Sequence, residues 1–253
     1  MTEAHQTPAL LADVGGTHVR FAQLGKDGRP FAVRCLALAD FDTFEAALAD
    51  YLAQSGARAI TAAAIALAAP VGDGRRPVRL TNARWTIDPA ALRTRFGWSR
   101  VELLNDFAAL AMSLPYLPAT ELGQVCGGQA EVRGVRAVIG PGTGLGVASL
   151  VAAGRGWIAV PGEGGHVTLP AADAREASII AVARREHPHV SAERLVSGSG
   201  LPLLLRCVCA VDGLPLAPET MSPEAIVAAA LGGDVPACVA TVDTFLALLG
   251  TVA

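Results

Sequence analysis

LLADVGGTHVRFAQL, residues 10–24, joins two apolar runs through Gly15 and Gly16. The runs predict two antiparallel strands, and the glycine pair predicts the tight turn between them. A second stretch, AVIGPGTGLGVASLV at residues 137–151, repeats the order of strand, turn containing Gly and Thr, and strand. This weak internal repeat indicates an α/β protein made of two related halves.

The hydrophobic pattern of the remaining chain predicts further strands and helices. In the first half we expect a strand over 31–38, a helix over 41–54 capped by Asp40, a strand over 60–69, a helix from Pro89 capped by Asp88, and a strand over 101–104. In the second half we expect strands over 136–139 and 146–151, followed by helices over 172–186, 201–211, 223–231 and 234–253.

Composition excludes several classes of protein. A chain of 253 residues with 52% hydrophobic and 17% charged residues is too apolar for disorder and long enough for a two-domain enzyme. The net charge of −3, without a cluster of Lys and Arg, argues against a nucleic-acid partner.

Targeting signals and cysteines point to the cytoplasm. The first residues, MTEAHQTPALLADVGG, lack the basic region of a signal peptide, and the longest apolar stretch, residues 62–71, is about half of a membrane span. The five cysteines are scattered, which is typical of free thiols in a reducing compartment. We therefore expect a cytoplasmic protein with no membrane association.

The two glycine-rich turns have two interpretations. Each turn can be only a tight hairpin, or their backbone N–H groups can bind phosphate. Asp13, next to the first turn, favours a site for a nucleotide with Mg²⁺. A Walker A loop is excluded because Lys26 is the only lysine, and GPGTGLG does not have the glycine spacing of a Rossmann fingerprint.

Polar residues in three other segments are candidate ligands of a hydroxylated substrate. Asn105 and Asp106 close an apolar strand, where one of them can cap the next helix or Asp106 can act as a general base. Glu163 and His166 lie among three glycines; we favour hydrogen bonds to hydroxyl groups over a zinc site, because no third ligand is near in the sequence. Glu193 is a third carboxylate of this kind.

Six motifs in order carry a resemblance to a known family. They are DVGGTHVRFAQL (13–24), LTNARW (80–85), VELLNDFAAL (101–110), GPGTGLGVA (140–148), PGEGGH (161–166) and HVSAERLVSGSGL (189–201). With these motifs the chain resembles the bacterial glucokinases of the non-ROK family, which share the fold of hexokinase, actin and the Hsp70 ATPase. The cysteine-rich zinc motif of the ROK sugar kinases is absent from the sequence, and position 18 is His where the family commonly has Asn.

The resemblance implies a fold and an activity. It implies two ribonuclease-H-like domains of the actin-like ATPase type with a cleft between them, at residues 1–108 and 109–253, the second richer in helices. The implied reaction is the ATP-dependent phosphorylation of D-glucose at the 6-hydroxyl, the entry to glycolysis. Glucose and ATP would be the partners and Mg²⁺ the metal, and a homodimer is an expected assembly.

The resemblance also implies the roles of individual residues. Asp106 would be the catalytic base, and Asp13 would face Mg²⁺ through water. The other implied sugar ligands are Asn105, Glu163, His166 and Glu193. The implied phosphate-binding residues are Ala12, Asp13, Val14, Gly15, Gly16 and Thr17 in the first loop and Gly140, Gly142, Thr143 and Gly144 in the second.

Length is the more serious departure from the family pattern. Relatives continue for several dozen residues through a motif that holds adenosine, so we expect this chain to be truncated at its carboxyl end. An alternative is therefore a sugar-binding protein without ATP affinity. A nicotinamide oxidoreductase is disfavoured by the glycine spacing.

Overall fold

The computed structural model describes residues 9–56, 60–80, 84–215 and 221–253. Residues 81–83 of the LTNARW motif lie outside the described residues. The chain divides into two compact units, Met1–Ser113 and Leu114–Ala253, which we call unit 1 and unit 2. Both contain strands and helices, which confirms the predicted α/β class.

Unit 1 is organised around one mixed sheet. Its described strands are β1 (Ala9–Val14), β2 (His18–Leu24), β3 (Pro30–Ala37), β4 (Ala62–Leu67), β5 (Val78–Arg79), β6 (Thr86–Ile87) and β7 (Arg100–Asn105). Its described helices are α1 (Phe44–Ser55), α2 (Pro89–Phe96) and α3 (Asp106–Ser113). The main sheet has the order β3-β2-β1-β4-β7, in which β1 pairs antiparallel with β2 and parallel with β4. The predicted hairpin is therefore confirmed.

The core of unit 1 forms between this sheet and the helices. Leu10 and Val14 of β1 are fully buried, as are Phe44 and Tyr51 of α1. The ring of Tyr51 stacks on Phe21 at 5.1 Å between centroids, and its hydroxyl donates to the carbonyl of Ala32 at 3.0 Å. This hydrogen bond allows the phenol to be buried without an unsatisfied polar group.

The predicted start of α1 was wrong. Thr43, rather than Asp40, is the N-cap: its hydroxyl accepts from the N–H of Ala46 at 3.1 Å. Leu38–Asp40 instead forms a short 3-10 turn, after which Phe41 is extended. The predicted cap of α2 is confirmed, because the Asp88 carboxylate accepts from the N–H groups of Ala90 and Ala91.

Unit 2 packs helices on a smaller antiparallel sheet. Its described strands are β8 (Arg136–Pro141), β9 (Leu145–Ala153) and β10 (Gly156–Gly162), in the order β10-β9-β8. Its described helices are α4 (Ala174–Ala183), α5 (Ala192–Leu195), α6 (Leu201–Asp212), α7 (Pro223–Gly232) and α8 (Pro236–Val252). Strand β10 was not predicted. Ile179, Leu204 and Leu248, from α4, α6 and α8, are fully buried together.

Cys35, Cys126, Cys207 and Cys238 are free thiols. Cys207, Cys209 and Cys238 are buried in unit 2. Burial raises the pKa of Cys207 to about 11, so its thiol stays neutral and contributes apolar packing.

No single described helix combines the length and the apolar composition of a membrane span. Helices α7 and α8 meet this criterion only as a pair, and the pair is bent by 106° at their junction.

One ion pair links three helices of unit 2. The Arg175 guanidinium on α4 donates to both carboxylate oxygens of Asp212 on α6, at 2.9 and 2.6 Å, and to the Thr244 hydroxyl on α8 at 2.9 Å. The hydrogen bond from Arg175 lowers the pKa of Asp212. The folded state therefore stabilises the charged form of this carboxylate.

We predict that Asp212→Asn lowers the free energy of unfolding by about 1–2 kcal/mol at pH 7, a modest value because the Arg175 side chain is 40% exposed. Because the folded-state pKa is the lower one, this contribution is present above the unfolded pKa of about 3.9 and is lost as the pH falls through the folded value. Urea unfolding at several pH values measures it, and Asp243→Asn on α8 is the control. If the stability difference between the parent and Asp212→Asn grows below pH 4, the assignment of this contribution to the Arg175–Asp212 ion pair is contradicted.

Candidate functional site

The first glycine turn of unit 1 connects β1 to β2. Gly15 N–H donates to the His18 carbonyl at 3.0 Å, and the Thr17 hydroxyl lies 3.0 Å from the Nδ1 of His18. Neither Gly15 nor Gly16 has a positive φ. A left-handed backbone conformation is therefore not the reason for glycine at these positions. The distinguishing feature of this turn is that its main chain is accessible and not covered by side chains.

Asp13 precedes that turn on β1. Its carboxylate is half-exposed and pairs across the strands with Arg20 at 3.1 Å. A carboxylate oxygen is a suitable ligand for Mg²⁺, directly or through water, and the exposure leaves room for one. Asp13 thus fits the role of facing a metal-bound nucleotide. Within the described residues, no group of three or more His, Cys, Asp or Glu side chains forms a metal site on its own.

The parallel strands of unit 1 bring Asn105 and Asp106 to the edge of the sheet that holds the first turn. Val14 at the end of β1 pairs with Leu67, and Leu67 pairs with Asn105 at the end of β7. Asn105 therefore lies two strands from Val14, about 10 Å away at ordinary strand spacing. Asp106 follows as the first residue of α3.

Asn105 both caps α3 and holds Asp106. Its side-chain oxygen accepts from the N–H groups of Phe107 and Ala108 at 3.0 and 3.1 Å, which is a helix cap. Its side-chain nitrogen donates to Asp106 Oδ1 at 2.9 Å and to the Ala69 carbonyl at 3.4 Å. The capping interpretation is therefore correct, and it also fixes the orientation of the neighbouring carboxylate.

The environment of Asp106 favours its neutral form. Burial raises the pKa of Asp106, and the negative charge of Asp13 raises it further, while hydrogen bonds from the Phe107 N–H and Asn105 partly oppose both effects. A carboxyl group with a raised pKa is a stronger base when ionised than an exposed aspartate. Asp106 therefore suits the removal of a proton from a hydroxyl group.

In unit 2, the second glycine turn packs against the segment that carries Glu193. Leu145 N–H donates to Glu193 Oε2 at 2.9 Å. A Cβ added at Gly144 would overlap the Glu193 carboxylate. Close approach of the Glu193 side chain, rather than backbone conformation, therefore favours glycine at 144.

The next segment, residues 197–200, fastens to the same turn. Gly198 N–H donates to the Gly142 carbonyl at 2.8 Å, and the Ser199 hydroxyl donates to the Thr143 carbonyl at 2.8 Å. These bonds hold the turn and the Glu193 segment as one block.

Glu163 and His166 flank a short 3-10 turn that packs on β9. A Cβ at Gly165 would overlap the Leu145 carbonyl, and one at Gly164 would come within 2.9 Å of Val147. His166 Nε2 lies 3.7 Å from Glu163 Oε2, and both side chains are largely exposed. An exposed pair at this distance adds little stability, so both groups are available to a ligand.

His166 and Glu193 line one cavity of about 210 Å³ in unit 2. The sequence assigned a binding role to these two alone among the lining residues. The other lining residues are His187, Ser191, Arg194, Ser199, Gly200 and Leu203. Four of them, Ser191, Arg194, Ser199 and Gly200, lie in the HVSAERLVSGSGL motif, whereas His187 and Leu203 lie outside the six motifs. Glu163 neighbours His166 but is not among the lining residues, and Asp13, Asn105 and Asp106 belong to unit 1.

A positioned carboxyl group, bare glycine turns and a cavity lined by groups that hydrogen-bond hydroxyls are compatible with a sugar kinase. The sequence profile of the glucokinase family matches residues 10–253, and the chain belongs to that family of sugar-phosphorylating enzymes. The predicted family is thereby confirmed.

Two curated relatives show how much of the family's length is matched. The glucokinase of Chromobacterium violaceum is 45% identical over 246 residues, which are 97% of this chain and 70% of that relative. The glucokinase of Nitrobacter hamburgensis is 40% identical over 245 residues, which are 96% of this chain and 75% of that relative.

Solved structures share the fold. A glucokinase from an Antarctic psychrotroph superposes with a TM-score of 0.85 at 33% identity, covering 98% of this chain and 77% of that one. Two further structures are similar in fold alone. The glucokinase of Balamuthia mandrillaris has a TM-score of 0.73 at 18% identity, covering 97% of this chain and 75% of that one. A ROK-family glucokinase from Streptomyces griseus has a TM-score of 0.56 at 20% identity, covering 92% of this chain and 74% of that one.

We predict that Gly144→Ala weakens glucose binding at least about tenfold, because the new methyl group displaces the Glu193 carboxylate. Gly142→Ala is the matched control in the same turn, since its Cβ would meet no atom within 4 Å. Isothermal titration with glucose, without nucleotide, measures both variants. Equal glucose affinities of the Gly144→Ala and Gly142→Ala variants would contradict a contact between glucose and the Glu193 carboxylate.

Proposed function

We propose that the protein transfers the γ-phosphoryl group of ATP to the 6-hydroxyl of D-glucose, giving glucose 6-phosphate and ADP. The observation that carries this proposal is Asp106, a partly buried carboxylate held by Asn105 at the end of β7. The crystal structure from Balamuthia mandrillaris is a complex with glucose, and that from Streptomyces griseus is a complex with glucose and AMPPNP. These ligands support the choice of substrates.

Asp106 is the proposed base. In this role its carboxylate accepts the proton of the 6-hydroxyl as the oxygen attacks the γ-phosphorus. Phosphoryl transfer needs little covalent help from a protein, so most of the acceleration comes from placing the hydroxyl and stabilising charge. Asn105 supports this placement because it is bonded to Asp106 and to the backbone of α3.

The remaining hydroxyls of the sugar are assigned to Asn105, Glu163, His166 and Glu193. For Asn105, the amide nitrogen would exchange its 3.4 Å bond to the Ala69 carbonyl for a bond to the hydroxyl. One oxygen of Glu193 accepts the Leu145 N–H, which leaves the other oxygen to accept from a hydroxyl. His166 and Glu193 line the same cavity, which supports a shared ligand.

The two glycine turns are the proposed phosphate-binding loops. The first comprises Ala12, Asp13, Val14, Gly15, Gly16 and Thr17, and the second includes Gly140, Gly142, Thr143 and Gly144. Their backbone N–H groups would donate to phosphate oxygens. Asp13 would hold Mg²⁺ through water; when bound, this ion neutralises charge on the triphosphate.

The repeated order of three antiparallel strands, β3-β2-β1 and β10-β9-β8, supports two related domains of the ribonuclease-H-like type. The free cysteines suit a reducing compartment, which supports a cytoplasmic location.

A sugar-binding protein without ATP affinity is the second candidate. Calorimetric titration with glucose and with ATP separates the two, because only the kinase binds both.

We predict that Asp106→Asn lowers kcat about 10²- to 10⁴-fold, because the amide keeps the shape of the carboxylate but cannot accept the proton. Glucose affinity should change little. A coupled assay gives kcat and calorimetry gives the affinity, with Asp73→Asn, on an exposed turn of unit 1, as the control. A variant with near-native turnover would overturn the assignment of the base.

The pKa of Asp106 should also set the acid limb of activity. Because burial and Asp13 raise this pKa, the base is protonated at a higher pH than an ordinary aspartate, whose pKa is about 3.9. We therefore predict that kcat/KM for glucose, measured at saturating MgATP, decreases as the pH is lowered. The midpoint of this decrease should lie above the ordinary aspartate pKa of about 3.9. The residual activity of Asp106→Asn should lack this limb; if it keeps the limb, another group is responsible.

A further inference from the structure

The first glycine turn leaves hydrogen-bond donors open to solvent. Gly16, Thr17 and His18 are all exposed. The Gly15 N–H is used within the turn, because it donates to the His18 carbonyl at 3.0 Å. The N–H groups of Gly16 and Thr17, in contrast, have no acceptor among the described residues. Backbone donors of this kind suit the oxygens of a phosphate group.

The Thr17 hydroxyl is a further donor of this turn, and His18 engages it. Thr17 Oγ1 lies 3.0 Å from the Nδ1 of His18. A neutral imidazole either accepts the hydroxyl proton at Nδ1 or, as the other tautomer, donates its own N–H to the hydroxyl oxygen. In the first arrangement the hydroxyl presents only lone pairs to a ligand, and these repel phosphate oxygens. Neutral His18 therefore competes with a phosphate for the hydroxyl proton.

Protonation of His18 removes this competition. An imidazolium has an N–H at both ring nitrogens and accepts no hydrogen bond, so its Nδ1 donates to Thr17 Oγ1. The Thr17 hydroxyl then directs its own proton toward the ligand. The positive charge of the ring also attracts an anion at this exposed turn. Both effects strengthen the binding of a phosphate group.

The charged neighbours of His18 on this face of the sheet are bonded to each other. Alternate residues of β2 share a face, so His18 lies on the same side as Arg20. Arg20 is opposite Asp13 on β1 and Cys35 on β3, and it donates to the Asp13 carboxylate at 3.1 Å. The residue opposite His18 on β3 is Ala37, which has no charge. Histidine is the side chain that ordinarily changes its charge between pH 5 and 8.

Two further carboxylates belong to elements that adjoin the turn. Asp40 ends the 3-10 turn whose Leu38 N–H donates to the Thr17 carbonyl at 2.9 Å. Asp106 lies at the same edge of the sheet, at the start of α3. Both are present in the parent and in any variant of His18. A comparison of the two proteins therefore isolates the contribution of the imidazole.

We propose that His18 is a further nucleotide-binding residue of the first turn, and that its protonated form binds the phosphates of a nucleoside triphosphate more tightly than its neutral form. This inference rests on the proposed phosphate-binding role of that turn. Because the ligand favours the protonated ring, binding takes up protons from the solvent, and the affinity falls as the pH rises through the range in which His18 loses its charge.

Calorimetric titration with ATP and Mg²⁺ tests this coupling without relying on turnover. The parent and His18→Asn, which keeps a polar side chain that cannot be protonated, are compared at about pH 5.5 and about pH 8, on either side of the range in which histidine changes its charge. We expect the ratio of the ATP affinities at the two pH values to be at least about threefold larger for the parent, the effect of one exposed and screened charge close to the triphosphate.

His189→Asn is the matched control. His189 is also exposed and also lies beside a threonine hydroxyl, 3.1 Å from Thr168 Oγ1, but it belongs to unit 2. This variant should keep the affinity ratio of the parent. The inference is overturned if the parent and His18→Asn have the same ratio, or if His189→Asn lowers the ratio as much as His18→Asn does.

Proton uptake gives a second test of the same coupling. Titrations at about pH 7 in two buffers of different ionisation enthalpy give the number of protons taken up with each ATP. We expect more protons for the parent than for His18→Asn, since the titration of ATP itself is common to both. Equal uptake would overturn the role of His18 and leave the proposed kinase activity intact, whereas a parent that binds no ATP at any of these pH values would overturn both.

Discussion

Close approach of backbone segments at glycine positions organises unit 2. Gly144 allows the second turn to contact the Glu193 carboxylate, and Gly165 allows the Glu163–His166 turn to lie against the Leu145 carbonyl. A side chain at 165 would force the turn away from the Leu145 backbone, whereas one at 144 would displace the Glu193 carboxylate. The positions of Glu193 and His166 therefore depend on the absence of two methyl groups, which makes the polar lining of the cavity sensitive to substitutions at Gly144 and Gly165.

Unit 1 positions its polar groups by a different principle. The parallel pairing of β1, β4 and β7 brings the ends of these strands to one level, so that Asp13 and Asn105 lie at the same edge of the sheet although they are far apart in sequence. The Asn105 side chain then connects the end of β7 to the start of α3 and to Asp106. Burial and the charge of Asp13 make this carboxylate a better proton acceptor than an exposed one.

Local patterns allowed the prediction of much of the fold. The glycine pair predicted the β1–β2 hairpin, and Asp88 before Pro89 predicted the start of α2. The start of α1 could not be placed correctly, because both Asp40 and Thr43 are good caps and only the structure shows that Thr43 is used. Strand β10 was missed although residues 157–160 form an apolar run between Gly156 and Pro161, because a run of only four residues does not by itself distinguish a strand from other structure.

The polar residues could be named from the sequence, but their contacts could not. The bond from Leu145 to Glu193 spans 48 positions, and the contribution of Ser199 depends on a carbonyl 56 positions away. No periodicity or spacing encodes such contacts, since they arise from the packing of separate segments. The capping role of Asn105, in contrast, is local and was one of the alternatives that the sequence suggested.

The most direct test of the proposed reaction is phosphorus NMR of the protein incubated with glucose, ATP and Mg²⁺. The account predicts that the γ-phosphate signal of ATP is replaced by that of glucose 6-phosphate, with one ADP formed for each ester, and that 6-deoxyglucose yields no ester. A phosphate ester at another carbon would contradict it, as would release of inorganic phosphate without ester.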